Sequence, residues 1–229
     1  MADVLVALSG RTYSDILPLL EGIVTGRERI QERRGKLVLP NGIGPLLPPH
    51  EKYLARRGFD VDQLKLLWKV QGIGIHQRLG WRIFIPIERD GEVVSWTTRS
   101  TSDSVTMRYI NAGIGEEAVS AKSLLYGQDY VRNSVIVCEG PLDVWAIGPG
   151  AVSTTGLAFT MEQVLAIGKY ASRVICFDAE SNAQRRARRL AEQLQAYPGE
   201  THVVCLETGK DPAEADKSEI EELRRRFLV

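Results

Sequence analysis

From residue 133 onward the chain alternates short, unbroken apolar runs with stretches of helical spacing. The runs Val-Ile-Val-Cys (135–138), Val-Ile-Cys-Phe (174–177) and Val-Val-Cys-Leu (203–206) are partly β-branched. Runs of that length and continuity predict strands buried on both faces of a parallel sheet. Between them, Pro141 to Ile147, Thr160 to Tyr170 and Ser181 to Ala196 carry helical spacing, and Ser218 to Phe227 closes the chain as a charged helix. Strand-helix alternation implies βαβ crossovers, so residues 133–229 read as an α/β domain with a parallel sheet flanked by helices.

Upstream the period changes. Arg82-Ile-Phe-Ile-Pro-Ile87 and Val93-Val-Ser-Trp-Thr-Thr-Arg99 flank Asp90-Gly91, the dipeptide that most favours a two-residue hairpin turn, and Met107 to Ile110 predicts a further strand. Pro49 to Arg57 and Val61 to Trp68 read as two short helices, with Gly58 capping the first. Residues 47–132 thus form a smaller mixed α+β subdomain. Asn41 to Pro49, rich in Gly and Pro, reads as a linker. Residues 1–46 form an N-terminal helical and extended segment, helical and charge-rich from 14 and strand-like towards 39.

Composition narrows the classes. The chain has 229 residues, 44% hydrophobic and 25% charged, with 29 basic and 29 acidic side chains, an ordinary globular balance. Residues 1–132 hold 18 basic and 15 acidic residues, and residues 133–229 hold 11 and 14, so the upstream part is the basic one. Cys138, Cys176 and Cys205 lie far apart within apolar runs and predict buried thiols in a reducing compartment rather than disulfides. None of His50, His76 and His202 stands at ligand spacing from a cysteine, so zinc-ribbon chemistry is excluded and any metal must be held by oxygen. No apolar run reaches membrane-spanning length and the N-terminus lacks the pattern of a secretory signal, which predicts a cytoplasmic protein.

Acids gather where the predicted strands end. Cys138-Glu139-Gly140-Pro141-Leu142-Asp143 follows the first strand, Phe177-Asp178-Ala179-Glu180 the second, and Lys210-Asp211-Pro212-Ala213-Glu214 the third. Gly140 permits a tight turn and Pro141 suits a first helical position. Glu139 and Asp143 are one helical turn apart, so both can face the crevice at the carboxyl edge of a parallel sheet, where such folds bind ligands. Negative charge crowded into one cleft is costly unless cations share it, and Mg2+ binds through one or two carboxylates completed by waters and phosphate oxygens.

An E-G-x-x-D after one strand, F-D-x-acid after a second and G-K-D-P-x-E after a third resembles the Toprim signature of bacterial primases, type IA and II topoisomerases and some nucleases. Upstream, WRIFIPIERDGEVVSWTTRS, MRYINAG and AKSLLYGQDYV, together with PPHEKYLARRGFDVDQLKLLWKVQGIGI, resemble the catalytic core of DnaG-type primases, in which a basic RNA-polymerase subdomain precedes Toprim. That resemblance covers roughly residues 47–229. It implies a phage-type primase core that makes short RNA primers on single-stranded DNA by nucleotidyl transfer with Mg2+ or Mn2+. It further implies Glu139 as acid/base, with Asp143, Asp178, Glu180 and Asp211 completing the metal set. Arg99, Arg108 and Lys122 would contact nucleotide phosphates or template, and Arg82 the nucleic-acid backbone. The implied partners are nucleoside triphosphates, single-stranded DNA, and either a replicative helicase or a separate zinc-ribbon protein.

The sequence departs from the family pattern in four ways. Glu180 stands for the usual aspartate, and Ala213 for the second aspartate of D-P-D. A zinc ribbon and a helicase-docking domain are expected to be absent, although Val6 to Glu21 resembles the helix that follows such ribbons. A Toprim nuclease and a non-catalytic DNA- or replisome-binding adaptor are the alternatives. A topoisomerase is not, since 229 residues leave no room for a domain carrying a strand-cleaving tyrosine.

Other signals read as structural. Gly113-Ile-Gly115-Glu-Glu-Ala118 has dinucleotide-loop spacing, but its glutamates would repel a pyrophosphate. Arg185-Arg186-Ala-Arg188-Arg189 reads as a solvated helix face. Trp81 and Trp96 read as core rather than base-stacking residues, and Ser153-Thr-Thr-Gly156 as either a turn or a phosphate-approaching loop.

Overall fold

A computed structural model describes residues 35–102, 104–156 and 158–228. The expected N-terminal segment therefore lies mostly outside the described residues, as does the stretch from Val6 to Glu21. The remainder forms one compact unit.

A five-stranded antiparallel sheet runs in sequence order: β1 (Ile43–Gly44), β2 (Gln71–Ile73), β3 (Arg82–Arg89), β4 (Glu92–Ser100) and β5 (Tyr109–Asn111). The presumed linker at 41–49 thus contributes β1 and the start of the first helix. The hairpin forms at the expected dipeptide, where Asp90 and Gly91 take φ of 56° and 80°, as a two-residue turn of this hand requires. Both of their N–H groups donate to the Asp129 carboxylate at 3.1 and 2.8 Å, which pins the hairpin tip to the chain that leads into the second sheet.

Two helices, α1 (Pro48–Arg56) and α2 (Val61–Leu67), lie between β1 and β2. The Asp60 side chain caps α2 by accepting from the N–H groups of Asp62 and Gln63, each at 3.0 Å.

The second sheet is wholly parallel, in the order β7-β6-β8-β9, built from β6 (Ser134–Cys138), β7 (Ala151–Ser153), β8 (Ser172–Ile175) and β9 (Glu200–Val203). Its helices are α3 (Pro141–Ile147), α4 (Met161–Ile167), α5 (Ser181–Leu194) and α6 (Lys217–Phe227). Central β6 and β8 are buried along nearly their whole length, which is why their sequences are unbroken apolar runs. Edge strand β9 is largely exposed and ends at Val203, before the apolar run does. For that reason Cys205 is exposed, contrary to the expectation of three buried thiols, while Cys138 and Cys176 are buried.

One apolar core runs beneath both sheets, joining Ile83, Ile85 and Ile87 of β3 to Ile136 and Cys138 of β6 and to Trp145 of α3. Trp96 is fully buried in a separate cluster with Ile73, Leu79 and Phe84 and donates its indole N–H to the Val38 carbonyl at 3.0 Å, whereas Trp81, read as core, is 46% exposed with φ of 58°. Among the described residues no helix is long and apolar enough to cross a membrane.

Candidate functional site

Parallel register sets the carboxyl ends of the central strands side by side: Val137 of β6 pairs with Ile175 of β8, and Cys138 with Ser153 of β7. The chain after each end carries the acids. A cleft of about 590 Å3 opens at this edge, with Glu139, Asp143, Asp178 and Asp211 among its lining residues. Asp211 comes from the loop after β9, which is tied to the β8 end by the Ala179 N–H donating to the Lys210 carbonyl at 2.7 Å. The tight loop leaves no room for a side chain at Gly209, where a Cβ would stand 2.5 Å from the Ala215 nitrogen.

The opposite wall is cationic and comes from β4, β5 and the segment between them. Arg99, Thr106, Arg108 and Tyr109 line it, as does Arg57 from the end of α1. Arg99 is 6% exposed; its Nε donates to the Tyr53 hydroxyl at 3.0 Å and its guanidinium lies 4.9 Å from the centre of the Tyr109 ring. Arg57 stands 3.7 Å from Glu214 at the rim. Nothing in the sequence reading singled out Arg57. It follows the α1 helix, and only the packing of α1 against the cleft exposes its role.

Not every predicted residue enters the cleft. Arg82 is 7% exposed and turns its guanidinium to the Met107 and Arg108 carbonyls at 2.7 and 3.1 Å, bracing the loop that presents Arg108. Lys122 sits in a 3-10 turn (Ala121–Ser123) away from the lining residues. Glu180 is exposed at the N-cap of α5, outside the lining but close enough to act electrostatically on Glu139 and Asp178. Thr155 and Gly156 do line the cleft, so the turn after β7 belongs to it.

Burial is the first cause, and mutual repulsion a further one, of the upward displacement of Glu139, Asp143, Asp178 and Asp211. Asp178 is pushed up to about 7 by burial, then by Glu139, Asp211 and Glu180. Asp143, nearly enclosed, is raised well above the usual carboxylate range by burial and then by Asp211, against the Gly140 N–H that donates to its Oδ2 at 2.9 Å. Asp211 is raised by burial and by Glu214 while its Oδ1 accepts from the Glu214 N–H at 2.8 Å. Glu139 is raised by burial, although Arg186 of α5 donates from Nη2 to its Oε1 at 2.7 Å and draws it down. Arg186 is therefore the exception in a run read as a solvated face.

Hard oxygen donors crowded until they resist ionisation suit a hard divalent cation such as Mg2+ or Mn2+. Among the described residues, however, no three His, Cys, Asp or Glu side chains converge as a ready cage. Glu139, Asp143 and Asp211 are each turned to a partner of the protein's own.

Residues 136–216 match the Toprim-like family, the stretch from β6 to the loop after β9. A DNA primase of Campylobacter jejuni is 29% identical over 147 residues, covering 58% of this chain and 24% of the relative. One of Borreliella burgdorferi is 32% identical over 150 residues, covering 60% of this chain and 28% of the relative. A DnaG primase catalytic domain solved bound to single-stranded DNA superposes with a TM-score of 0.67 at 18% identity, over 80% of this chain and 73% of that one. A Toprim-like domain behind an antiparallel sheet is the class defined here. Within it, the chain has the architecture of a DnaG-type primase core, and it spans about a quarter of the length of its curated relatives.

Proposed function

We propose that the chain is a primase-type nucleotidyltransferase that extends short RNA primers on single-stranded DNA in the cytoplasm. The observation carrying this reading is the placement of Glu139, Asp143, Asp178 and Asp211 across one cleft from Arg99 and Arg108. Arg108 and Arg57, at the mouth, receive triphosphate or template phosphates, which arginine grips through paired N–H donors. Arg99, held by Tyr53 and Tyr109, supplies fixed positive charge behind them. Glu139, with its proton affinity raised by burial, takes the proton of the attacking 3′-hydroxyl as the oxygen–phosphorus bond forms at the α-phosphate and pyrophosphate departs. Asp143, Asp178 and Asp211, with Glu139 and Glu180 nearby, would hold Mg2+ or Mn2+, which supplies neutralisation of the phosphate charge.

The test combines the protein with single-stranded DNA, labelled ribonucleoside triphosphates and Mn2+, with and without a zinc-ribbon protein or helicase partner. Short labelled oligonucleotides are expected, falling by about a hundredfold or more in Glu139→Gln. Metal-dependent cleavage of added nucleic acid without triphosphates would identify a nuclease instead. DNA binding with neither activity would identify an adaptor.

A further inference from the structure

An ion pair ties the acidic cleft to α5: Arg186 of that helix meets Glu139 at the end of β6. Arg186 projects from the second turn of α5, beside the apolar stripe of Ala183, Ala187, Leu190 and Leu194 that seats the helix on the sheet. The arginine's backbone is thereby fixed, and its side chain spans back to the end of β6. Both partners are mostly withdrawn from solvent, with side-chain exposures of 28% for Arg186 and 19% for Glu139, so their attraction is screened far less than that of a surface pair. Its neighbours behave differently: Arg185 bonds to Asn182 within α5.

A guanidinium at 2.7 Å from Glu139 supplies positive charge to a cleft lined by five acids, Glu214 the fifth. The carboxylate oxygen it occupies then has one less lone pair for another cation. We propose that Arg186 is a resident counter-cation that stabilises the metal-free cleft by holding Glu139 and competes with divalent metal for that carboxylate, so that it sets how much metal the protein needs. This rests on the metal-dependent reading above and deepens it, assigning Arg186 as a positioning residue for Glu139. When metal binds, Glu139 is shared between the guanidinium and the ion or passes to the ion.

Competition fixes the sign of the effect. A side chain that favours the metal-free state must weaken metal binding by the same coupling free energy. A strut that merely anchored α5 to the sheet, or a residue that aligned Glu139 for metal, would strengthen metal binding or leave it unchanged.

The full chain is titrated with Mn2+, and the free ion is followed by electron paramagnetic resonance. Arg186→Met is expected to bind Mn2+ about fivefold more tightly than wild type, Arg186→Lys to stay within about twofold of wild type, and Arg185→Met, the same charge change on the same helix, to stay within about twofold as well. In EDTA the melting temperature of Arg186→Met falls below that of wild type, and Mn2+ raises it by more. In a Glu139→Gln background, Arg186→Met tightens Mn2+ binding by less than in wild type, the remainder coming from the guanidinium's pull on Asp178. Unchanged or weaker binding by Arg186→Met, or equal tightening by Arg185→Met, overturns the proposal while leaving the metal-dependent reading intact. Failure of folded wild type and all variants to bind Mn2+ overturns both. Should Arg186→Met not fold, Arg186→Gln, which removes the same charge and keeps a polar end, decides: tighter Mn2+ binding than wild type is expected, and unchanged or weaker binding overturns the proposal.

Discussion

The two sheets use charge in opposite ways. On the antiparallel sheet the arginines are drawn into the fabric: Arg82 is spent on two backbone carbonyls, and Arg99 on a tyrosine hydroxyl and a tyrosine ring. At the parallel sheet's edge the acids are instead held by one or two backbone N–H groups or by one guanidinium, and burial plus repulsion keeps them hard to ionise. Buried cations with neutral, polar ligands are a permanent feature of the architecture. Buried acids crowded together are a deficit that a ligand can relieve. The difference separates residues that build the cleft from residues that wait for something to enter it, though both kinds face it.

That separation is broken most directly by removing Arg82. Arg82→Met keeps the buried stem but takes the guanidinium from the Met107 carbonyl, while the Arg108 carbonyl keeps the Ser100 N–H, and one polar group left without its partner costs about 1–3 kcal/mol. A stability loss of about 1–3 kcal/mol is expected in urea unfolding. Arg108→Ala, on the loop that Arg82 braces, should leave stability within about 0.5 kcal/mol. It should weaken single-stranded DNA binding while lowering the salt slope by about 1. Equal stability losses in the two variants would erase the distinction between builder and binder.

The acidic edge predicts a pH dependence of unusual sign. Asp178 titrates at about 7 in the folded chain against 3.8 ordinarily, so the folded state holds a proton that the unfolded state has lost. Stability from this group is full below pH 3.8 and is lost as pH rises through about 7. In EDTA the melting temperature should therefore fall from pH 5 to pH 8. Saturating Mn2+ should remove the trend, because the ionised form is the one that binds. Asp178→Asn should flatten the metal-free slope. A metal-free melting temperature that climbs over this interval, with Asp178→Asn unchanged, would show that these acids are not crowded.

Sequence made the acidic edge legible and the basic wall only half so, for a physical reason. In a parallel sheet the residue after a buried apolar run must sit at the carboxyl edge, so Glu139 and Asp178 are located once the runs are recognised. The antiparallel strands give no such rule. Arg82 and Arg99 both lie on strands, and whether a guanidinium points to solvent or into the core depends on Tyr53, Tyr109 and the 107–108 backbone, which come from distant segments. Arg57 and Arg186 were missed because helix position alone does not tell which neighbour a long side chain reaches. β7 went unread because Ala151–Ser153 is only three residues long. The Asp90-Gly91 hairpin was legible because its turn chemistry is local.

The smallest expected effect lies on the antiparallel side and opposes the one at the cleft. His50, at the third position of α1, is wholly buried against Gly72, where an added Cβ would stand 2.8 Å from the ring. Its Nδ1 accepts the Leu47 N–H at 3.0 Å and its Nε2 lies 3.2 Å from the Ile73 carbonyl, so the neutral ring must carry its proton on Nε2. Protonating Nδ1 would destroy the acceptor, and burial already holds the pKa below 6.5. The unfolded chain accordingly takes up a proton near pH 6.5 that the folded chain refuses, and stability present above that pH is lost as the pH falls through the folded value. His50→Gln keeps an acceptor for the Leu47 N–H, as glutamine does at this helix position, and should lessen the acid-side loss between pH 6.5 and 5. Mn2+ distinguishes the two origins: it should abolish the alkaline-side decline that comes from the carboxylates and leave the His50 contribution untouched. If Mn2+ shifted both equally, the histidine would be reporting on the cleft and the two sheets would not be electrostatically separate.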